Sequence, residues 1–461
     1  MRYLALASDY DGTLATGGQV GGEVLKALKR LRDSGRRLLL VSGRELGELL
    51  ELFPHVRLFD RVIAENGALL YRPESREEKW LAEPPPEQFA QRLRERGVAP
   101  LHQGGVIVAT REPNESIVLE TIRELGLELQ VIFNKGAVMV LPSGVNKGTA
   151  LTVALRELGL SGHDCVGVGD AENDHAFLSL CECAVAVANA LPTVQQQADL
   201  VTRGAQGDGL LELIARLLEN DLADLAPRLH RHDIPVGETT DGSSVHLRGY
   251  GEVALLAGPS ASAKSAATTA ILERIVDKAY QFCLLDPEGN HESFPRAISL
   301  GTRDRAPAAD EVLKVLINPE ENAIANLVAT PVQERPSAFA SFWPRIQEMR
   351  ARTGRPHWIV LDEAHHLVPA PCRAAPETVP RQMAGLLLVT DNPSHLAPAV
   401  LSSVRILLAL GEGAEETVRD FARALGIEAP AVDSSLERAE AILWRPGPSM
   451  APVRMRLARR T

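Results

Sequence analysis

Asp9-Tyr10-Asp11-Gly12-Thr13 places two carboxylates at the end of a short apolar run near the start of the chain. The run over 4–7 predicts a buried β-strand that ends in a glycine turn. In a parallel α/β sheet the carboxyl ends of the strands face the ligand crevice. Two carboxylates this close repel each other unless a cation or a proton intervenes. The pair therefore indicates a divalent metal or a proton-transfer task, and two solvated aspartates in a turn are the alternative on this stretch alone.

Length and composition limit the class of protein. A chain of 461 residues exceeds one ordinary core, so two or three domains are expected. A net charge of −11 argues against a broadly basic nucleic-acid-binding surface but leaves a local basic channel open. Five cysteines make no disulfide framework, and the chain shows neither a signal-peptide pattern nor an apolar run of membrane-spanning length. We therefore expect a cytoplasmic protein with no membrane partner.

Polar residues follow two further predicted strands. Arg37–Val41 leads into Ser42-Gly43-Arg44, where a hydroxyl beside a helix N-terminus suits phosphate oxygens and a plain N-cap serine is the alternative. The strand over 165–168 leads into Gly169-Asp170-Ala171-Glu172-Asn173-Asp174. Lys147 opens a predicted helix between them. Carboxylates for a hard cation, with a hydroxyl and an ammonium for a phosphoryl group, predict a phosphate-and-magnesium site.

The order of these segments predicts the domain organisation. Residues 1–82 and 142–222 are expected to form an α/β core with a parallel sheet, and 83–141 a small α+β module inserted into it. A charged, proline-rich texture over 72–86 indicates the first junction. Residues 223–240 are expected to be a linker, and 241–461 a second α/β domain.

Over about residues 1–220, the motifs Asp9-Tyr10-Asp11-Gly12-Thr13, Ser42-Gly43-Arg44, Lys147 and Gly169-Asp170-x-x-Asn173-Asp174 resemble, in this order, the four motifs of the haloacid dehalogenase superfamily of phosphatases. The inserted module resembles the large α+β cap of the branch that contains sugar-phosphate and phosphoglycolate phosphatases. The resemblance implies a Rossmann-like core, a Mg²⁺ cofactor and a small phosphorylated metabolite as substrate.

The same resemblance implies a role for each motif residue. Asp9 would be the nucleophile that forms an aspartyl-phosphate, Asp11 the acid and then the base, and Thr13 a residue that positions the loop. The implied metal ligands are Asp9, the backbone carbonyl of Asp11, Asp170 and Asp174. The implied phosphate-binding residues are Ser42, Gly43, Arg44, Lys147 and Asn173, with Ser42 and Lys147 also counted as catalytic.

The second half carries a different phosphate-binding pattern. A predicted strand over 252–257 leads into Gly258-Pro259-Ser260-Ala261-Ser262-Ala263-Lys264-Ser265 and a long helix, which is the context of a P-loop. Alanine at 263 replaces the glycine of that motif, and its Cβ would crowd a phosphate in the backbone nest. Trp358–Leu361 ends at Asp362-Glu363, where a P-loop ATPase carries a magnesium-binding Asp and a water-polarising Glu.

Over about residues 236–461, these motifs resemble HerA/FtsK-type P-loop ATPases. The resemblance implies an ATP-binding P-loop NTPase domain with Lys264 and Ser265 on the phosphates and magnesium, Asp362 on magnesium and Glu363 as the catalytic base. Three alternatives stay open: a phosphatase with an ATP-binding domain, a nucleic-acid translocase with an end-processing phosphatase, and a phosphatase with a nucleotide sensor. The acidic charge and Ala263 disfavour nucleic acid as a partner, and a homo-oligomer formed through this domain is a further expectation.

Overall fold

A computed structural model describes residues 1–259, 261–370, 384–432, 436, 440–447 and 451–458, without the side chains of 261–263. The chain forms two compact units, Met1–Leu229 and His230–Thr461. Each unit contains its own α/β sheet. Among the described residues, no helix combines the length and the apolar character that crossing a membrane requires.

The first unit contains an eight-stranded and a four-stranded sheet. Its strands are β1 (Ala5–Asp9), β2 (Arg37–Val41), β3 (Arg61–Ala64), β4 (Leu69–Arg72), β5 (Glu77–Trp80), β6 (His102–Gln103), β7 (Val108–Arg111), β8 (Leu129–Asn134), β9 (Ala137–Pro142), β10 (Cys165–Gly169), β11 (Cys183–Ala186) and β12 (Leu200–Val201). Its helices are α1 (Gly22–Asp33), α2 (Leu46–Leu52), α3 (Glu87–Glu95), α4 (Glu115–Glu124), α5 (Lys147–Glu157), α6 (His175–Leu180), α7 (Pro192–Gln197) and α8 (Gln206–Asn220).

The eight-stranded sheet brings the predicted motifs to one edge. Its order is β12-β11-β10-β1-β2-β3-β4-β5, and the strands from β12 to β3 are parallel. The central strand β1 lies between β10 and β2 and is buried along its whole length, as expected of a strand covered on both faces. Asp9 ends β1, Ser42 follows β2 and Asp170 follows β10. Because these three adjacent strands are parallel, the three residues lie at the same edge of the sheet. The predicted α/β core with a parallel sheet is confirmed.

A second sheet is formed by the segment inserted in the sequence between the two parts of this core. It has the order β6-β7-β9-β8 and packs with α3 and α4 around an apolar cluster that includes Phe89, Val118 and Val140. The charged region over 72–86 contains the strand β5, which pairs with β4 and is fully exposed. A charged edge strand lacks the apolar alternation that reveals a strand in a sequence.

The region expected to be a linker, 223–240, differs in the structure. The second unit begins at His230, and Ile234–Thr239 form a strand in its sheet. This strand pairs with a neighbouring strand and with another near the end of the chain. The turn-rich sequence over 233–242 favours a small hairpin, which accounts for the first pairing, whereas the second pairing is distant in sequence and has no local pattern.

The second unit is built on an eleven-stranded sheet. Its strands are β13 (Ile234–Thr239), β14 (Ser244–Leu247), β15 (Val253–Ala257), β16 (Phe282–Asp286), β17 (Ile298–Leu300), β18 (Ala323–Asn326), β19 (Trp358–Leu361), β20 (Leu386–Thr390), β21 (Ile406–Leu410), β22 (Glu440–Trp444) and β23 (Val453–Leu457). Its helices are α9 (Ala261–Asp277), α10 (Ala309–Leu316), α11 (Arg335–Thr353), α12 (Pro398–Leu401) and α13 (Ala414–Leu425).

The parallel part of this sheet has the order β21-β15-β20-β19-β16-β18-β17, and the other four strands are antiparallel. The strand β20 therefore separates β15, which precedes Lys264, from β19, which precedes Asp362.

Candidate active site

Asp9 and Lys147 form the centre of the candidate site. Asp9 ends β1 and is 5% exposed, and Lys147, the first residue of α5, is 1% exposed. The Lys147 Nζ donates to Asp9 Oδ1 at 2.7 Å and to Asp174 Oδ1 at 2.6 Å. Burial alone would lower the pKa of Lys147, but Asp174 and Asp9 hold it above its ordinary value. The ammonium group therefore stays charged between two carboxylates.

The start of α5 fixes the position of this lysine. The Asn146 side chain accepts hydrogen bonds from the backbone N–H of Gly148 and of Thr149, and the Thr149 hydroxyl accepts from the Asn146 N–H. This capping box satisfies N–H groups that a helix start leaves without partners. It also holds the first turn of the helix, and thus Lys147, in one orientation.

The loop after β10 supplies the other two carboxylates. Asp174 Oδ2 accepts hydrogen bonds from the backbone N–H of Asp170 and of Ala171, at 2.8 and 2.9 Å. Asp170 Oδ2 accepts from Asn189 Nδ2 at 3.2 Å, whereas Asp170 Oδ1 is buried and has no hydrogen-bond partner in the described part of the chain. One carboxylate oxygen from each of Asp9, Asp170 and Asp174 lies within 4.8 Å of the others.

This carboxylate cluster fits a magnesium ion. Oxygen ligands are those that Mg²⁺ prefers, and the orphaned Asp170 Oδ1 is the kind of buried acceptor that a cation satisfies. Burial and the nearby Asp174 raise the pKa of Asp9 to about 8, although Lys147 opposes the shift. Burial also raises the pKa of Asp170. A divalent cation held by Asp9, Asp170 and Asp174 would offset this repulsion and keep the carboxylates ionised.

Asp11 lies outside the cluster of three carboxylates. Its side chain is 42% exposed and is bound by Arg44, whose Nε and Nη2 donate to the two carboxylate oxygens at 2.6 and 2.8 Å. This hydrogen bonding raises the pKa of Arg44. Arg44 also forms an ion pair with Glu48. The guanidinium that the sequence assigns to phosphate thus binds Asp11, and the metal role predicted for Asp11 concerns its backbone carbonyl alone.

Thr13, Ser42 and Asn173 are the remaining predicted residues with polar side chains, and all three are buried. Thr13 and Ser42 are fully buried, and Thr13 Oγ1 has no hydrogen-bond partner in the described residues. Asn173 donates through Nδ2 to Asn66 Oδ1 at 3.0 Å, and its Oδ1 has no partner among the described residues. A Cβ built on Gly43 would lie 3.6 Å from Asn173 Nδ2, so these two residues are adjacent. Buried polar atoms without partners are expected where a polar ligand binds.

Three further residues, Lys135, Asn189 and Glu65, form hydrogen bonds with the site or with the inserted module, and the sequence prediction assigned none of them to the site. Lys135 reaches Asp170 from the β8–β9 turn, and Asn189, beyond the end of β11, donates to Asp170 and to the carbonyl of Gly12. Glu65 follows β3, and its carboxylate accepts the backbone N–H of residues 105, 106 and 107 from the inserted module. The position of Asn189 and Glu65 beyond strand ends was a usable signal. Lys135, between two predicted strands, could either face the site or lie at a polar hairpin tip, and the sequence favours the hairpin tip.

The second unit places its predicted residues around Lys264. This side chain is 3% exposed, and its Nζ lies 3.5 Å from Glu363 Oε1. Gly258 and Pro259 follow β15 directly, and Ser265 is half-buried on α9. Ser260 lies outside the described residues, and Ala261, Ser262 and Ala263 are described by their backbone in α9 only.

Asp362 and Glu363 lie directly beyond β19. Asp362 is 2% exposed, and its Oδ2 lies 3.5 Å from His291 Nε2 and 3.4 Å from Asn290 Nδ2. Glu363 has a φ of +40°, a left-handed conformation that costs free energy for a residue with a Cβ. Burial raises the pKa of Glu363, although Lys264 opposes the shift. The structure thus brings Lys264 and Glu363 together.

Comparison with known proteins finds relatives of the first unit. The model of the haloacid dehalogenase-like hydrolase family matches residues 6–94 and 106–214. The phosphoglycolate phosphatase of Methanothermobacter thermautotrophicus is 29% identical over 223 residues, which cover 46% of this chain and 98% of that protein. The phosphoglycolate phosphatases of Pyrobaculum aerophilum and Haloarcula marismortui are each 31% identical and each cover 46% of this chain and 95% of their own length.

The fold and the site define a hydrolase that acts on phosphoric monoesters. Through its first unit, the chain belongs to the haloacid dehalogenase-like hydrolases, and it is a phosphatase of that superfamily.

Proposed function

We propose that this chain is a magnesium-dependent phosphatase that forms an aspartyl-phosphate on Asp9 and acts on a small phosphorylated metabolite such as phosphoglycolate or a sugar phosphate. The observation that carries the proposal is the buried group in which Lys147 binds Asp9 while Asp170 and Asp174 complete a cation site. The relatives named phosphoglycolate phosphatases support the substrate class.

The proposed reaction has two displacement steps. An Asp9 oxygen attacks the phosphorus, the bond from phosphorus to the leaving oxygen breaks, and Asp11 in its protonated form gives that oxygen a proton. Asp11 then takes a proton from a water molecule, the water oxygen attacks phosphorus, and the bond to Asp9 breaks to release phosphate. Magnesium, when bound, supplies positive charge beside the phosphoryl oxygens.

The other residues position the groups that react. Lys147 keeps a charged ammonium beside Asp9, where negative charge on the phosphoryl group needs compensation. Ser42 and Thr13 would donate to the phosphoryl oxygens through their buried hydroxyl groups, and Asn173 through the second N–H of its Nδ2, whose first N–H is bound to Asn66. While Asp11 is ionised, between its two proton transfers, Arg44 orients it by binding both of its carboxylate oxygens. Because Arg44 is already engaged with Asp11 and Glu48, we assign it to orientation and leave phosphate binding to the buried groups.

The substitution Asp9→Asn tests this proposal. It keeps the size of the side chain and removes its nucleophilic oxygen, so turnover of p-nitrophenyl phosphate with Mg²⁺ should fall by about a thousandfold or more. Asp33→Asn, on the exposed end of α1, is the matched control and should keep full activity. Magnesium-dependent turnover that survives in a folded Asp9→Asn protein would contradict the assignment of the nucleophile.

A second candidate function is ATP binding by the second unit, in which Lys264 and Ser265 would bind phosphates, Asp362 a magnesium ion, and Glu363 would act as the base. Two observations favour it: β20 lies between β15 and β19, as in the additional-strand P-loop class, and Lys264 lies 3.5 Å from Glu363. Ala263, which replaces the glycine of the motif, argues for weak binding.

Calorimetry with ATP and Mg²⁺ tests this second function. Lys264→Ala should weaken ATP binding by tenfold or more, as estimated from the loss of a charge-assisted contact, while Lys314→Ala on the exposed face of α10 should not. A wild-type protein that binds no ATP would exclude both the nucleic-acid translocase and the nucleotide sensor. ATP hydrolysis that DNA stimulates would favour the translocase over the sensor.

A further inference from the structure

The hairpin of β8 and β9 docks its turn on the catalytic unit. Lys135 and Gly136 form the two-residue turn, and both have positive φ, +48° and +80°, as a tight hairpin turn requires. The backbone N–H of Lys135 donates to Glu172 Oε2 at 3.3 Å, in the loop that follows β10. The inserted sheet thus delivers one side chain, Lys135, directly to the edge where Asp9 and Asp170 lie.

The ammonium of Lys135 lies within the carboxylate group of the site. Its Nζ donates to Asp170 Oδ2 at 2.6 Å. A Cβ built on Gly12, whose φ is +85°, would lie 3.0 Å from this Nζ and 2.3 Å from Asp170 Oδ2. A side chain at residue 12 would therefore collide with this contact. Lys135 is thus packed against the loop that carries Asp9 and Asp11.

Lys135 differs from the other two cations of the site in its exposure and in its partners. Lys147 is 1% exposed and binds two carboxylates, and Arg44 binds Asp11 and Glu48. The Lys135 side chain is 47% exposed, and in the described part of the chain one of its three donors is used, on Asp170. Lysine carries a positive charge at neutral pH, and here its ammonium contacts a carboxylate. It is a fixed cation with donors left for a further acceptor.

We propose that Lys135 is a specificity-determining residue that binds a carboxylate of the substrate beside its phosphate, so that the site prefers small phosphate esters of hydroxy acids to neutral phosphate esters. The contact of Lys135 with Asp170 is itself an ammonium–carboxylate pair and shows the chemistry that this group recognises. Among the described residues Asp170 Oδ1 has no partner, so Lys135 on Oδ2 leaves an oxygen for the metal ion. This proposal rests on the proposed phosphatase function of the same site.

A pair of substrates with the same skeleton tests this role. 2-Phosphoglycolate and 2-hydroxyethyl phosphate differ in a carboxylate against a hydroxymethyl group, and the ratio of their kcat/KM values measures the preference. The wild-type ratio should favour 2-phosphoglycolate, and Lys135→Met should reduce the ratio by about tenfold or more, mainly through KM, as estimated from one charge-assisted hydrogen bond. Lys135→Arg should restore part of it. Lys29→Met, on the exposed face of α1, is the matched control.

Manganese binding, measured by calorimetry without substrate, separates recognition from a merely structural role. Lys135→Met should bind Mn²⁺ within about threefold of the wild type, because the ion uses Asp170 Oδ1. A wild type that prefers 2-hydroxyethyl phosphate would overturn the proposal, as would a Lys135→Met protein that loses both substrates equally and binds Mn²⁺ with altered affinity. If the wild type hydrolyses neither ester, nor p-nitrophenyl phosphate, the proposed function itself fails. Turnover of p-nitrophenyl phosphate with no preference between the esters overturns the lysine proposal alone.

Discussion

The two units present the same elements at their sheet edges, a lysine on a helix and acidic residues beyond neighbouring strands, but they hold them differently. In the first unit, Lys147 contacts Asp9 and Asp174 at 2.7 and 2.6 Å. In the second, Lys264 has one acidic contact among the described residues, with Glu363 at 3.5 Å. The lysine of the first site is thus held by two short ion pairs, whereas the lysine of the second has one longer contact.

The largest expected effect comes from removing each lysine in turn. Lys147→Met leaves Asp9 and Asp174 buried without a counter-ion, which should lower the free energy of unfolding by about 3–5 kcal/mol. Lys264→Met should lower it by about 1–2 kcal/mol, because Lys264 has one acidic contact among the described residues, at 3.5 Å, whereas Lys147 has two at 2.7 and 2.6 Å. Urea denaturation of the full chain measures both, with Lys29→Met as the control. Equal losses in the two variants would refute the contrast between the sites.

Magnesium should stabilise the first unit by an intermediate amount. An ion that binds the folded cluster at a hundred times its dissociation constant raises the free energy of unfolding by about 2.7 kcal/mol. Asp170→Asn should remove most of this gain, because Asp170 Oδ1 is the buried acceptor without a partner. Thermal unfolding with and without Mg²⁺ measures the effect. The same magnesium shift in wild type and Asp170→Asn would place the ion elsewhere.

The smallest expected effect lies at the other end of α5, in a peripheral ion cluster. Burial acts to raise the pKa of Glu157, but hydrogen bonds from Arg72, Arg61 and Lys79 outweigh it and lower the value to about 2. Because the folded pKa is below the ordinary value of 4.5, the stabilisation is complete above pH 4.5 and is lost as the pH falls toward 2. Glu157→Gln should therefore lower the free energy of unfolding by about 1 kcal/mol at pH 7 and by less at pH 3. Urea midpoints at the two pH values measure this, and a loss that does not depend on pH would contradict it.

The sequence predicted the residues of the first site that depend on strand order. Asp9, Ser42 and Asp170 each follow a buried apolar run, and parallel strands bring such ends together without any further information. Lys147 was predicted to open a helix, and it is the first residue of α5. The parallel core was predictable for the same reason, since buried parallel strands appear as continuous apolar runs.

The parts that could not be predicted depend on contacts between distant segments. Lys135 reaches Asp170 only because a hairpin of the inserted sheet docks on the core. Arg44 was assigned to phosphate, but a neighbouring carboxylate, Asp11, lies within reach of its guanidinium. The strand Ile234–Thr239 lies in the range that was expected to be a linker. Its partner β23 lies near the other end of the chain, so this pairing could not be predicted from the local sequence. Long-range pairing leaves no local pattern to read.

The Glu65 carboxylate has a consequence for how the inserted module moves. It holds the backbone N–H of residues 105, 106 and 107 at 2.7–3.1 Å, all on one side chain. A displacement that separates the module at this point must break three hydrogen bonds to one charged group, whereas a rotation about Glu65 that lifts the hairpin tip keeps these three and breaks the contacts of Lys135. The module should therefore pivot. The amide hydrogens of Val106 and Ile107 would exchange slowly with solvent, and that of Lys135 quickly.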